Sequence, residues 1–302
     1  MLLKFPFLKL ATIKPEQSTI PKGGFMKSLQ WLLSFATALA VAVFMALSVG
    51  GCKDKSTNPP EDLTVPDDIF PLVPGRQIEY NGYLTQNDTE TKIANSDSGY
   101  YTKWSLFGTT KLSTVFGPLV PAGTTPDSGF LVKDTTKIPR FGVASKFTPI
   151  FVSYDPTTAK YLFFTNLGYF YRAFQIKASG QTTIRSDSLR WITLADPRVK
   201  LNNEFTSFGP ESFSGTVSGS PATVVLTIKG KWEGKETITV GSTAYETFRL
   251  VVTRTVTLGT TTIAGGPTAK LWVAKGIGPV QMHLYGDAET HGNFRKMTAK
   301  NF

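Results

Sequence analysis

The chain has 302 residues, is 41% apolar and carries a formal net charge of +10 with only 2 His and 1 Cys. One cysteine leaves no disulfide framework and no thiolate zinc site, and two late histidines give little support to a Ser/His/Asp triad. The basic excess is spread along the chain with no block of like charge, so it reads as a solvated surface rather than a nucleic-acid footprint.

Residues 1–25 hold Pro6, Pro15 and Pro21 and several lysines without amphipathic order, and they read as an upstream extension ahead of a second start at Met26. Lys27 precedes an uncharged apolar run from Trp31 to Val49, which closes on Gly50, Gly51 and the single Cys52. A charged start, an apolar run and small residues in that order make an export signal. Val49-Gly50-Gly51-Cys52 resembles the lipobox of bacterial lipoproteins. That resemblance implies a diacylglycerol thioether on Cys52, cleavage before it, and an acyl chain such as palmitate on the new amino terminus. Two other readings compete: an uncleaved transmembrane anchor, since the run is long enough to span a bilayer, and a buried apolar helix with an incidental cysteine.

Two acyl chains give stable membrane attachment where one does not. In the sorting rule of enteric bacteria, Asp after the lipidated Cys retains the protein at the inner membrane. Lys53 stands there instead, so the resemblance points to the outer membrane, in either leaflet. Lys53-Asp54-Lys55 also loosely resembles surface-export signals of Bacteroidota lipoproteins. Export also removes nucleic acid from the list of partners. Without residues 1–51 the chain loses five of its 32 basic and one of its 22 acidic residues, which leaves 27 and 21 and a net charge of +6. That surplus suits anionic glycans or lipid headgroups.

Residues 52–68 read as a lipidated cysteine and a flexible tether, because Ser56 to Asp62 offer no buried face. Residues 69–302 are expected to form a single all-β domain, with an internal seam near Asp196-Pro197. A chain of this length buries roughly 70% of its unfolded surface without cysteine staples. Val224, Leu226, Ile228 and Trp232 alternate with Thr227, Lys229, Lys231 and Glu233, a strand with one wet face. Gly241-Ser242 predicts a two-residue hairpin turn, and Gly265-Gly266 predicts a further reversal. Almost no window carries helical periodicity. The fold expected is an antiparallel meander forming a curved half-barrel or a β-sandwich.

Tyr161, Phe163, Phe164, Tyr169, Phe170 and Tyr171 fall on both faces of any strand, so that stretch is either sandwiched between layers or lines a cavity. These are the candidate ligand-lining residues. Trp104, Trp191 and Trp232 add further aromatic surface, with packed core as the commoner fate. Trp272 to Val280, with Lys275-Gly276-Ile277-Gly278-Pro279 inside it, resembles a segment near the C-terminus of uncharacterised envelope lipoproteins built as curved antiparallel sheets. It implies a bulge or hairpin and no phosphate loop, since no helix follows.

His283, Asp287, Glu289 and His291 are the weak candidates for a metal site, set against an ordinary exposed turn. Asp127, Asp134, Asp155, Asp187 and Glu211 are scattered, so no acid/base pair is legible. No cofactor motif is present, and the balance leans away from an enzyme. The expected role is non-catalytic: an extracytoplasmic lipoprotein that binds an apolar ligand or an envelope partner. A carbohydrate-binding or adhesion module, and a hydrolase with carboxylate catalysis, are the alternatives. Oligomeric state is not legible.

Overall fold

The computed structural model describes residues 64–302 apart from 87–88, 140–141, 169, 171–188, 218–219 and 287–290, all within one compact unit, Asp62–Phe302. Its strands are β1 Gln77–Thr85, β2 Tyr101–Lys111, β3 Ser128–Ile138, β4 Val143–Asp155, β5 Lys160–Asn166 and β6 Leu189–Ala195. The second half adds β7 Glu204–Val217, β8 Ser220–Val240, β9 Thr243–Leu258, β10 Thr261–Ala274, β11 Gly278–Leu284 and β12 Gly292–Lys300. A five-residue helix, α1 Leu112–Phe116, and a 3-10 turn, Gly117–Leu119, follow β2.

These strands form a single antiparallel 12-stranded sheet in the order β6-β5-β4-β3-β2-β1-β12-β11-β10-β9-β8-β7. It consists of two meanders joined where β1 pairs with β12, for example Tyr80 opposite Met297. The edges β6 and β7 are consecutive in the chain and meet. The Ser207 hydroxyl on β7 donates to the Thr193 carbonyl on β6 at 2.5 Å, and the Trp232 indole on β8 donates to the Asp196 carbonyl just beyond β6 at 2.9 Å. The result is a nearly closed antiparallel barrel, not a sandwich. Bringing the edges together protects strand groups that would otherwise template aggregation.

Alternation decides which side chains enter the barrel. Val224, Leu226, Ile228 and Trp232 of β8 are fully buried, as are Leu250 on β9 and Met282 on β11. Gly230 shares that inward row, and an added Cβ would lie 2.1 Å from the Phe205 ring, so the missing side chain is where the ring fits. The turn between β8 and β9 is the two-residue Gly241-Ser242, with Gly241 at φ +58. Gly265-Gly266 is not a reversal. Both residues lie inside β10, between register shifts at Thr262/Ala264 and Pro267/Ala269, while Gly259 at φ +58 makes the turn from β9. Two glycines serve a bulge as readily as a turn, and the neighbouring ladder decided between them.

β5 carries aromatics on both faces because two layers cover it. Tyr161 packs in the barrel core, whereas Phe164 joins Leu112, Phe151 and Leu189 in a separate cluster on the outer face. Phe116 of α1 and Val120 close that outer cluster, with Phe116 5.6 Å from both Phe151 and Phe164 between ring centroids. Each aromatic so buried contributes about 1.5–3 kcal/mol. At five residues α1 is too short to show a periodicity of its own.

Candidate functional site

Residues 64–76 lead into β1 and are packed, including 64–68, which the sequence places in the flexible tether: Val65 and Ile69 are buried. The Tyr161 hydroxyl donates to the Asp67 carbonyl at 2.5 Å, the Gly276 amide donates to the Asp68 carbonyl at 2.9 Å, and Phe70 packs on Tyr161 with ring centroids 5.2 Å apart. Arg76 donates to the Gly276 carbonyl at 3.1 Å. This strap and the β10–β11 turn are therefore fastened to each other. Burial pushes the Tyr161 phenol up to about 12, so at neutral pH it stays a hydrogen-bond donor.

Beneath them lies a cavity of about 180 Å³. Phe70, Pro71 and Leu72 of the strap form one wall, and Ile277, Gly278 and Pro279 form another. The strands supply the rest, among them Ile78, Trp104, Val132, Ile150, Val152, Phe163, Leu194, Ala269, Leu271 and Met282. No ionisable side chain among the described residues lines it. It is partly open to solvent, and for scale a sealed apolar cavity of roughly 150 Å³ takes up benzene. The volume is therefore enough for a compact hydrocarbon group.

Polar groups lie next to that wall. Asp134 stands opposite Trp104 across the β2–β3 ladder, and Arg295 stands opposite Met282 across the β11–β12 ladder. Arg295 donates to the Asp134 carboxylate at 2.7 Å, to the Asn293 side-chain oxygen at 2.7 Å and to the Tyr100 hydroxyl at 3.2 Å. Burial opposes the guanidinium charge, but the Tyr100 and Asp134 partners outweigh it and hold its pKa above the ordinary value. Tyr80, fully buried on β1, donates to the Pro279 carbonyl at 2.9 Å, and burial raises its pKa. These groups satisfy one another and bind the strands together.

The candidate residues take different places. Phe163 lines the cavity, Tyr161 clamps the strap and Phe170 packs partly buried against the barrel core. Phe164 faces the outer cluster, 5.1 Å from the Trp191 ring, while Tyr169 and Tyr171 lie outside the described residues. Trp232 is fully buried, and Trp104 is part of the cavity wall. The aliphatic lining was not legible in advance: Ile78, Val132, Leu194 and Leu271 lie on separate strands with nothing local to distinguish them from other core residues.

His283 is buried on the barrel's outer face, stacked on Tyr285 at 4.2 Å, 3.2 Å from the Thr85 hydroxyl and 3.9 Å from the Glu90 carboxylate. Burial lowers its pKa against the pull of Glu90. Lys270 and Tyr285 both donate to Glu90 and lower its pKa, so Glu90 is fixed to β10 and to the residue after β11 by charge-assisted bonds. His291 is exposed, and Asp287 and Glu289 lie outside the described residues. Among the described residues no three metal-capable side chains converge. Asp127, Asp134, Asp155 and Glu211 contribute nothing to the cavity wall, and Asp187 lies outside the described residues. So do Val49, Gly50, Gly51 and Cys52. No helix among the described residues is long and apolar enough to cross a membrane.

No family model and no curated protein matches the chain. Among solved structures, a candidate lipoprotein from Parabacteroides distasonis matches at 11% identity over 80% of this chain and 100% of its own, with a TM-score of 0.39. A candidate exported protein with a YmcC-like fold from Bacteroides fragilis matches at 11% identity over 77% of this chain and 98% of its own, also with a TM-score of 0.39. The hypothetical lipoprotein YmcC from Escherichia coli matches at 11% identity over 57% of this chain and 77% of its own, with a TM-score of 0.26.

Proposed function

We propose that this protein is a lipid-anchored protein of the cell envelope that holds an apolar ligand in the end of its barrel, without catalysing a reaction on it. The observation that carries the reading is the 180 Å³ cavity, whose walls bring together aliphatic and aromatic side chains from both meanders and, among the described residues, no ionisable group. Close packing is the rule in protein interiors, and this pocket, partly open to solvent, leaves apolar wall atoms without packing partners. An apolar occupant supplies them.

The test is native mass spectrometry with solvent extraction on residues 58–302 purified from a bacterial host. A stoichiometric co-purified apolar molecule is the expected result. A clean apo mass that survives addition of apolar ligands would overturn the reading and turn attention to a scaffold or adhesion role. Ala269 sits on the wall between Val252 of β9 and Leu284 of β11. Ala269→Phe is expected to fill the space, abolish ligand retention and leave the melting temperature equal or higher, since cavity filling is a stabilising change. Retention unchanged by a folded Ala269→Phe protein would place the ligand elsewhere.

The anchor rests on the Val49-Gly50-Gly51-Cys52 segment, and Lys53 supports the outer membrane as its destination. Cys52→Ser is expected to leave the protein unprocessed or released from membranes and to abolish metabolic labelling with palmitate. Unchanged labelling and membrane retention would defeat the lipoprotein assignment.

A further inference from the structure

The large apolar side chains left in solvent are not spread evenly over the barrel. Among the described residues they are Leu119 and Phe107, 67% and 59% exposed, then Phe147, Val73, Tyr154 and Val115. All six precede β5, and none lies on the second meander. The fold sets most of them on one outer surface. Trp104, Leu106, Val132 and Ile150 line the cavity, so the residues between them on β2, β3 and β4 face outward. Phe107 occupies the bulge of β2, between the pairs Leu106–Val132 and Gly108–Leu131. Phe147 stands opposite Thr135 on β3, and Leu131 stands opposite Phe151. Leu119 ends the 3-10 turn that continues α1, whose Phe116 rests on Phe151. Pro74 lies against Gly108, where an added Cβ would be 3.6 Å from its ring, so Val73 joins the same edge. Scattered apolar side chains are ordinary on a surface, whereas a gathered set marks a place of contact.

The charge on this face says what it meets. Lys111 ends β2, Lys133 and Lys137 belong to β3, and the Lys133 ammonium sits 4.8 Å above the Phe147 ring. None of the three has an ion-pair partner among the described residues. The nearby carboxylates are engaged elsewhere or lie at the margin: Asp134 faces inward to Arg295, Glu79 on β1 is 3.8 Å from Lys103, Asp155 holds Thr157 and Thr158 at the β4–β5 turn, and Asp127 is exposed just before β3. On the second meander Lys229, Lys235, Arg249 and Lys270 each meet a glutamate. Exposed rings and a leucine among unpaired lysines suit a membrane interface, where the apolar groups enter the acyl boundary and the lysine stems carry their charges up to anionic headgroups. A protein partner must place carboxylates in register with these lysines, whereas a headgroup layer supplies anions at any spacing. We propose that the outer face of β2–β4, together with the 3-10 turn, docks on an anionic lipid surface. The contact is made by the folded domain and depends on neither the cavity occupant nor the Cys52 anchor.

The test uses residues 58–302, which hold the whole compact unit and lack Cys52. They are sedimented at millimolar lipid with vesicles of phosphatidylcholine alone or with one quarter phosphatidylglycerol. Binding to the mixed vesicles, lost in high salt and much weaker on phosphatidylcholine alone, is the expected result. Lys111→Gln and Lys133→Gln are each expected to weaken it about fivefold. Phe107→Ser combined with Leu119→Ser is expected to weaken it about tenfold or more, with an unchanged melting temperature because both side chains already stand in solvent. With Cys52 absent, Leu119→Cys and Ser242→Cys each take a single environment-sensitive fluorophore, and only the first is expected to shift to the blue on vesicles. No sedimentation of the wild type with mixed vesicles would overturn the proposal and leave the face to a protein partner. Equal binding to both vesicle types, binding indifferent to the four substitutions, or an equal blue shift at Leu119 and Ser242 would overturn it too. None of these outcomes touches the cavity or the anchor, which have tests of their own.

Discussion

Arg295→Met is expected to destabilise the domain by about 3–5 kcal/mol, the usual consequence of removing one partner of a buried ion pair. The Arg295 and Asp134 side chains are only 7% and 9% exposed, so the loss leaves a carboxylate facing the barrel interior without its counter-charge. The methionine fills much of the space but donates nothing to Asp134, Asn293 or Tyr100. Urea unfolding monitored by far-UV circular dichroism measures the change as a lower midpoint at a similar slope. Adding Asp134→Leu is expected to restore most of the loss, because replacing both partners with apolar groups is often neutral or better. If the single variant unfolds within about 1 kcal/mol of the wild type, the pair is not the interior cross-brace inferred here. The brace links β12 to β3 across β1 and β2, and it neighbours Trp104 and Met282, so its loss should also loosen the cavity wall.

Trp232→Ala is expected to cost about 3–5 kcal/mol, through a large cavity and the loss of a hydrogen bond. Trp232 is fully buried, and its indole reaches from β8 to the Asp196 carbonyl at the end of β6. Those elements flank the barrel seam, where the described residues show side-chain hydrogen bonds and no β6–β7 ladder. Trp232→Phe keeps most of the volume but removes the donor. It should cost less overall, yet leave the Asp196 carbonyl without that bond. Amide hydrogen exchange in β6 rising in both variants, relative to β9, would locate the effect at the seam. Equal exchange in β6 and β9 would show that the indole acts as core volume only.

Much of the fold was legible. The inward row of β8, the Gly241-Ser242 turn and the absence of long helices follow from alternation and turn chemistry, which are local. The both-faced aromatic run that includes β5 was readable as sandwiched between layers or lining a cavity, and only the fold places Tyr161 in the core, Phe163 on the cavity wall and Phe164 in the outer cluster. Three features were not legible for a physical reason. Closure depends on β1 pairing with β12, more than 200 residues apart, with no local signal for the partner. Gly265-Gly266 has the chemistry of a turn and of a bulge alike, and only the β9–β10 register separates them. Asp134 alternates inward among apolar neighbours on β3, where a lone carboxylate argues against burial until Arg295 arrives from the other end of the chain.

The same division holds for the candidate site. The amino-acid sequence by itself carried the apolar run that ends at Cys52, the all-β class and an aromatic stretch with rings on both faces, because each is written in residues near one another. The tertiary structure alone decided that Phe163 lines a cavity while Phe164, one residue on, packs beneath α1, and that Phe107, Leu119 and Phe147 stay exposed. A cavity is the volume that distant strands fail to fill, and an exposed side chain is one that no other element covers. Both are properties of packing between elements, set only once the barrel curls its edges together.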